Sequence, residues 1–474
     1  MRTPAFVVLF VICLSGCTMI PTYQRPAAPV PEVLPGAVQA DAVSATSPAA
    51  AELPWREFIV DVELRQLIES ALQNNRDLRL ASLNVEKVRA LYKIQREELY
   101  PSLYATGSGS RQSTSRDLLQ AGQDRITEYY QANLSLLSWE LDFFGRLQSL
   151  TKIALQEFMA TEQARRSAQI MLISSVANGY LVLAAERESL QLAEDTFKSQ
   201  QDAYKLVERQ YNEGLATELD LRRAQVPRET ARVDMVRYRQ RISIAENALQ
   251  FLVGTALPAD LLPGSLADVE LPASLASGLS SEVLLQRPDI LAAEHQLRAA
   301  YATIGAARAA FFPNIVLIGN LGTASTELSR LFESGTSTWG FSPQLSMPIF
   351  DARTWSAYRV SKVQREIALT QYEKAIQNAF RETADALAVR SALREQLAAQ
   401  VDLVEALAET YRLARFRYEK GIDNYLSVLD AQRSLFSAQQ SLVSLRLAEH
   451  SSRLQLYAVL GGGGLPEPEA EDIK

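Results

Sequence analysis

Of 474 residues only two are cysteine, two histidine and six methionine. Both cysteines, Cys13 and Cys17, fall at the extreme N-terminus, and removal of a leader ending before Cys17 leaves a single thiol with no disulfide partner in the chain. His295 and His450 stand far apart, each inside a helical pattern, and neither belongs to an H-E-x-x-H pair. No G-x-x-x-x-G-K-[ST] loop and no G-x-S-x-G elbow occurs, and Gly461 to Gly464 lacks the lysine and following helix of a phosphate loop. These absences argue against an enzyme, a cofactor or a metal centre. The formal charge is −7, one unit more negative once Arg2 leaves with the leader, and no basic stripe interrupts it, which argues against nucleic-acid binding.

The chain begins M-R-T-P-A-F-V-V-L-F-V-I-C-L-S-G-C, a basic start, an apolar run and small residues, the layout of a secretory leader over residues 1–16. It is too short to be a spanning helix. Leu14-Ser15-Gly16-Cys17 resembles the bacterial lipobox, which implies cleavage before Cys17 and a diacylglycerol on its sulfur; the alternative is an ordinary leader with an incidental cysteine. Thr18 rather than Asp follows, which for lipoproteins implies sorting to the outer membrane. Residues 17–54 are rich in Pro and Ala and read as an extended tether. Residues 255–280 form a second such stretch, a linker, and 462–474 read as a disordered tail.

The rest is written twice. Asp77 and Pro101 recur as Asp289 and Pro313 at an offset of 212, while Tyr211, Gly214 and Ala224-Gln225 recur as Tyr418, Gly421 and Ala431-Gln432 at an offset of 207. One unit occupies 55–254 and its copy 281–461. Apolar spacing and the lack of breakers predict helices over 62–99, 147–211, 218–254, 283–311, 353–419 and 427–460. Val428, Leu435 and Leu442 repeat at seven, and Val360, Val363 and Ile367 step by three and four, narrow stripes that fit coiled-coil seams. A helix over 147–211 is about 97 Å long, so the two shorter helices of each unit, about 55 to 57 Å each in the first, stack along the long one.

Within 100–146 and 313–352 the apolar period changes to two. Tyr130, Ala132, Leu134 and Leu136 alternate with Tyr129, Gln131, Asn133 and Ser135; Trp339, Phe341, Leu345 and Met347 alternate with Gly340, Ser342, Gln344 and Ser346. Each segment predicts a hairpin with strands of about 9 to 11 residues, the length of a tilted membrane strand. One face apolar and one polar is the pattern of a water-filled barrel, although a soluble sheet with one wet face shares it. Four strands leave backbone edges that hydrocarbon does not tolerate, so other copies must complete the barrel: two give eight strands, three give twelve, and sequence does not choose between them.

The lipobox with its tether, the duplicated hairpin and long-helix units, A-A-R-A-A-F-F-P at 306–313 and Y-E-K-G-I-D-N-Y-L-S-V-L-D-A-Q-R-S-L at 418–435 resemble the outer membrane factor family, the TolC-like channels, and most closely their OprM-type lipoprotein branch. The resemblance covers essentially the whole mature chain. It implies a mainly α fold with a transmembrane β-barrel, a duplicated α/β barrel of four strands and long coiled-coil helices per protomer. It further implies a homotrimer in the outer membrane extending into the periplasm, a periplasmic adaptor and an inner-membrane proton-driven (RND-type) transporter as partners, and multidrug efflux as function.

A channel needs a gate. Gly214 and Gly421 mark tight turns at the helix ends expected farthest from the membrane, with Asn212 to Thr217 and Glu419 to Asn424 as exposed tips and plausible adaptor contacts. Asp423, Leu426 and Asp430 follow at spacings of three and four, so copies around an axis make an apolar ring beside a carboxylate ring. The first unit has Leu219 and Arg223 where the second has Leu426 and Asp430, which suggests Arg223 paired with Asp430 or its neighbours. The competing roles are an N-terminal cap for Asp423 and a solvated charge for Asp430. Pro227 inside the helix over 218–254 predicts a bend. Trp139, Trp339, Tyr129 and Tyr130 are candidates for interface girdles or for ordinary packing. A periplasmic coiled-coil adaptor or scaffold lipoprotein is the competing function; it needs no strands of membrane length.

Overall fold

In the computed structural model, which describes residues 18–34, 53–120, 122–270 and 280–462, the chain runs as helices and strands in a repeated order. The first set is α1 (Trp55–Phe58), α2 (Val62–Asn74), α3 (Arg76–Glu97), β1 (Leu103–Ser113), β2 (Ile126–Glu140), α4 (Arg146–Asn212) and α5 (Glu218–Val253). The second is α6 (Pro288–Ala309), β3 (Asn314–Ser325), β4 (Ser337–Ser346), α7 (Ala352–Glu419) and α8 (Tyr425–Val459). The leader over 1–16, Cys17, residues 35–52 of the tether, residues 271–279 of the linker and residues 463–474 lie outside the described residues.

The long helices α4 and α7 have 67 and 68 residues, about 100 Å each. The helix expected over 62–99 is two helices. Asn75 leaves helical geometry at ψ 130°, its side chain accepts from the Leu78 N–H at 2.9 Å, and its amide donates to the Leu252 carbonyl at 2.9 Å. The helix expected over 283–311 breaks in the same way, into a 3-10 segment Ser281–Gln286 and α6, with Arg287 extended at ψ 136°. Positions 75 and 287 differ by the offset of 212 seen in the sequence. Pro288 favours the second break, because a proline ring disfavours helical backbone at the residue before it; apolar periodicity alone passes over both.

The chain folds into two compact units. One holds the sheet with residues 18–27, Asn84–Glu162 and Ala292–Tyr372. Its four strands form one antiparallel sheet in the order β1-β2-β3-β4, so the two expected hairpins are joined through β2 and β3. A bulge between Leu136 and Trp139 shifts the register there, keeping Trp139 opposite Leu317 on the apolar face.

The other unit is helical. Its core includes Leu67, Ile68, Ala71, Val176, Ala177, Leu183, Ala184, Leu249 and Val253, all buried; fully burying one leucine or isoleucine contributes about 1.5–3 kcal/mol. Alanines among them let helices approach closely. Phe58 stacks on Tyr457 at 3.9 Å, and the Tyr457 hydroxyl donates to the Leu53 carbonyl at 2.8 Å, so its one buried polar atom is satisfied. Arg287, buried, donates to Asp289, Glu382 and the Val459 carbonyl, tying the start of α6 to α7 and to the end of α8. Gly461 and Gly462 close α8 through bonds to the carbonyls of Ala458 and Tyr457.

Candidate functional site

Directly opposed residues in an antiparallel sheet share a face, and the register sorts the strands by chemistry. One face collects Leu103, Leu134, Leu136, Leu317, Leu321, Trp339, Phe341 and Leu345. The other collects Thr106, Ser108, Gln131, Asn133, Ser135, Asn320, Ser342 and Gln344, with Tyr104, Val316 and Ile318 as large apolar exceptions. The polar face is cross-linked: the Gln131 amide donates to Ser108 Oγ at 2.9 Å, and the Asn133 amide to Gln131 Oε1 at 3.2 Å. On the apolar face Trp339 is 78% exposed and Phe341 61%, an unfavourable arrangement in water that hydrocarbon removes. The shortest strand, β4, has 10 residues, about 34 Å long and, tilted near 45°, about 24 Å tall, which matches the apolar band of an outer-membrane barrel. Among the described residues neither β1 nor β4 has a strand on its outer edge.

The helical tips repeat one local design. At the first, Gly214 (φ 73°) donates to the Tyr211 carbonyl at 3.0 Å and Leu215 to the Gln210 carbonyl at 2.8 Å; at the second, Gly421 (φ 71°) donates to Tyr418 and Ile422 to Arg417, both at 2.9 Å. These are the paired bonds of a Schellman motif, which needs a left-handed residue that glycine supplies without Cβ strain. Thr217 then caps α5 in a reciprocal box with Asp220, and Asn424 caps α8 by accepting from the Ser427 N–H at 3.3 Å. Apolar Leu215, Leu219, Ile422 and Leu426 are exposed around both turns.

The gate candidates take specific positions within this design. Asp423 does not cap α8, a role that falls to Asn424. It accepts two bonds from Arg417, at 2.6 and 3.1 Å, and these hold its carboxyl below the usual carboxylate range. Asp430 is exposed and pairs with Arg433 on its own helix at 2.5 Å. Arg223 is exposed and makes no ion pair among the described residues; its charge acts at longer range on Asp220. The chain therefore does not bring Arg223 and Asp430 together within one protomer. Pro227 lies inside an uninterrupted α5, where it removes the N–H that would serve the Arg223 carbonyl.

Several groups escaped the sequence reading. Tyr418 and Tyr425 pack at 5.1 Å beside the second turn, and burial pushes the Tyr425 phenol up to about 12. Arg228 lies over the Tyr204 ring at 4.4 Å. Of the aromatic girdle candidates, Trp139 donates its indole N–H to the Leu99 carbonyl at 3.1 Å, whereas Trp339 is free on the apolar face. Tyr130 bonds Glu128 and Tyr129 bonds Gln131. No cluster of metal-ligating side chains occurs among the described residues.

Comparison with known proteins agrees with this architecture. The family described as outer membrane efflux protein matches residues 67–255 and 279–462. Toluene efflux pump outer membrane protein TtgC and antibiotic efflux pump outer membrane protein ArpC, both of Pseudomonas putida, are each 47% identical over 451 residues, covering 95% of this chain and 93% of theirs. The solved open state of the Neisseria gonorrhoeae MtrE outer membrane channel superposes with a TM-score of 0.85 at 37% identity, over 94% of this chain and 98% of that one. The chain belongs to the outer membrane efflux protein family, and with its four-stranded sheet and paired long helices it is an outer membrane efflux channel of TolC-like fold.

Proposed function

We propose that three copies of this chain close a twelve-stranded barrel and form the exit duct of a tripartite pump, passing drugs or other small toxic compounds from periplasm to exterior. The observation that carries this reading is the open sheet: four strands of membrane length, largely apolar on one face and largely polar on the other, with both outer edges unpaired among the described residues. An unpaired backbone group in hydrocarbon costs several kcal/mol, so the free edge of β4 in one copy seeks the free edge of β1 in the next. Val360, Val363 and Ile367 on α7, each about half exposed among the described residues, form an apolar seam open to another copy. The names of TtgC and ArpC, for toluene and antibiotics, support small apolar or amphiphilic cargo.

In this assembly Leu426 and Asp430 of each copy face a common axis as an apolar and an acidic ring, and Asp423 stiffens the turn before them. Arg223, which makes no ion pair among the described residues of its own protomer, reaches an acidic neighbour on the adjoining copy and holds the tip shut. The turns at Gly214 and Gly421, with their exposed leucines and isoleucine, are the surface offered to a periplasmic adaptor, which connects the duct to an inner-membrane proton-driven (RND-type) transporter. Cys17 carries the lipid that anchors the chain to the outer membrane. Conduction through such a duct is passive and uses no catalytic residue or cofactor. The alternative role as a coiled-coil adaptor leaves the amphipathic sheet without a purpose.

The test is the mass of the detergent-solubilised protein together with its conductance in planar bilayers. A trimer that conducts supports the reading. A lone subunit with a closed sheet, or an oligomer that passes no ions even when its tips are mutated, overturns it.

A further inference from the structure

The segment expected to be a loose tether is, over residues 19–25, inlaid on α6. Glu294 is 2% exposed, and three donors converge on its carboxylate: the Tyr23 hydroxyl at 3.1 Å, Arg25 at 2.5 Å and Arg298 at 2.6 Å. The Tyr23 ring meets Tyr301 edge to face at 5.5 Å and carries the Arg298 guanidinium at 4.9 Å. Farther along, Ile20 lies so close to Gly305 that a Cβ there would come within 2.6 Å of it, and Arg308 donates to the Met19 carbonyl at 3.2 Å.

The spacing shows that this is a register and not a chance touch. From Glu294 to Arg308 the helix advances about 21 Å, and from Arg25 to Met19 an extended chain advances about 20 Å. Strap and helix thus run antiparallel in step, contact after contact. The strap's N-terminal end arrives beside Arg308, just before α6 gives way to β3 at Asn314. Position 17 is only two residues away.

We propose that Glu294 is the lock of a strap, holding residues 18–25 on α6 independently of any lipid, so that Met19 is fixed beside Arg308, just before the helix-to-strand junction. Burial disfavours the charged Glu294 carboxyl, but the bond from Arg25 and the charge of Arg298 outweigh it and leave the group below its ordinary value. Tyr372 and His295 are the other titratable groups in its field, and the Glu294 charge acts directly on both.

Deuterium exchange of the full chain in detergent tests this. Arg25→Ala removes one partner from the exposed side without disturbing the buried carboxylate, and Glu294→Gln removes the lock itself. In each, exchange over residues 18–25 is expected to rise about tenfold or more, the loss of one charge-assisted hydrogen bond, while β1 to β4 keep their protection. Unchanged exchange over 18–25 in Arg25→Ala and Glu294→Gln overturns the lock. Cys17→Ser is expected to leave the strap protected; loss of protection there shows that the anchor holds the strap and overturns the proposal.

Discussion

Arg417 and Asp423 face each other across the turn at Gly421, joined by two hydrogen bonds of 2.6 and 3.1 Å. The corresponding positions of the first unit, Gln210 and Ala216, have no such pair to offer. Two turns with the same backbone are therefore stiffened differently, the second by a side-chain fork and the first by the Thr217 and Asp220 capping box.

Asp423→Asn should loosen only the second tip. Amide exchange over residues 419–424 is expected to rise severalfold while the melting temperature is unchanged, because an exposed pair contributes little to global stability. Acid should imitate the substitution. The carboxyl is depressed in the fold, so its contribution is present above the ordinary aspartate value of about 3.9 and is lost as pH falls through the lower folded value. A single-channel recording of Asp430→Ala addresses the gate directly. Larger or more frequent openings are expected, and a closed state identical to wild type removes Asp430 from it.

The glycines at helix ends are unequal. Gly214 and Gly421 have open space where a Cβ would lie, so alanine there brings only left-handed strain of about 1–2 kcal/mol. Gly254, also left-handed at φ 80°, would place its Cβ 2.6 Å from the Asn74 carbonyl oxygen. Thermal denaturation of the three alanine variants should rank Gly254→Ala well below the other two.

Both histidines respond to pH through burial. Burial holds the His450 and His295 imidazoles below their ordinary value, so the fold prefers neutral rings and the unfolded chain takes up more protons in acid. Their contribution to stability is complete above the ordinary histidine value of about 6.5 and is lost as pH falls through the depressed folded values. Melting temperatures measured from about pH 7 to about pH 5 should decline, and less steeply in His450→Gln.

The sheet offers a paired substitution. Phe341→Arg puts a charge on the apolar face and is expected to cost about 2–4 kcal/mol at bilayer depth, reducing the amount of assembled protein in the outer membrane. Ser342→Arg, the next residue, sits on the polar face and should assemble normally while shifting the ion selectivity of the conducting protein. Equal loss of assembly in both variants would contradict the division of faces drawn from the register.

The amino-acid sequence determined what short stretches decide by themselves. The change of apolar period from helical to two, the glycines and caps at the tips, and the offsets of 212 and 207 specify which segments are helices, which are strands and that the order is repeated, because each depends on neighbours a few residues away. Tertiary structure decided the rest. The fusion of the two hairpins through β2 and β3, the bond from Asn75 to the Leu252 carbonyl, the bond from Arg287 to the Val459 carbonyl and the seating of Tyr23 and Arg25 on Glu294 join residues from about 170 to 270 positions apart. A polar side chain's partner at such distance is fixed by which helices pack together, and no local propensity encodes it. That is why the seating of residues 19–25 on α6, within a proline-rich segment read as an extended tether, escaped the sequence.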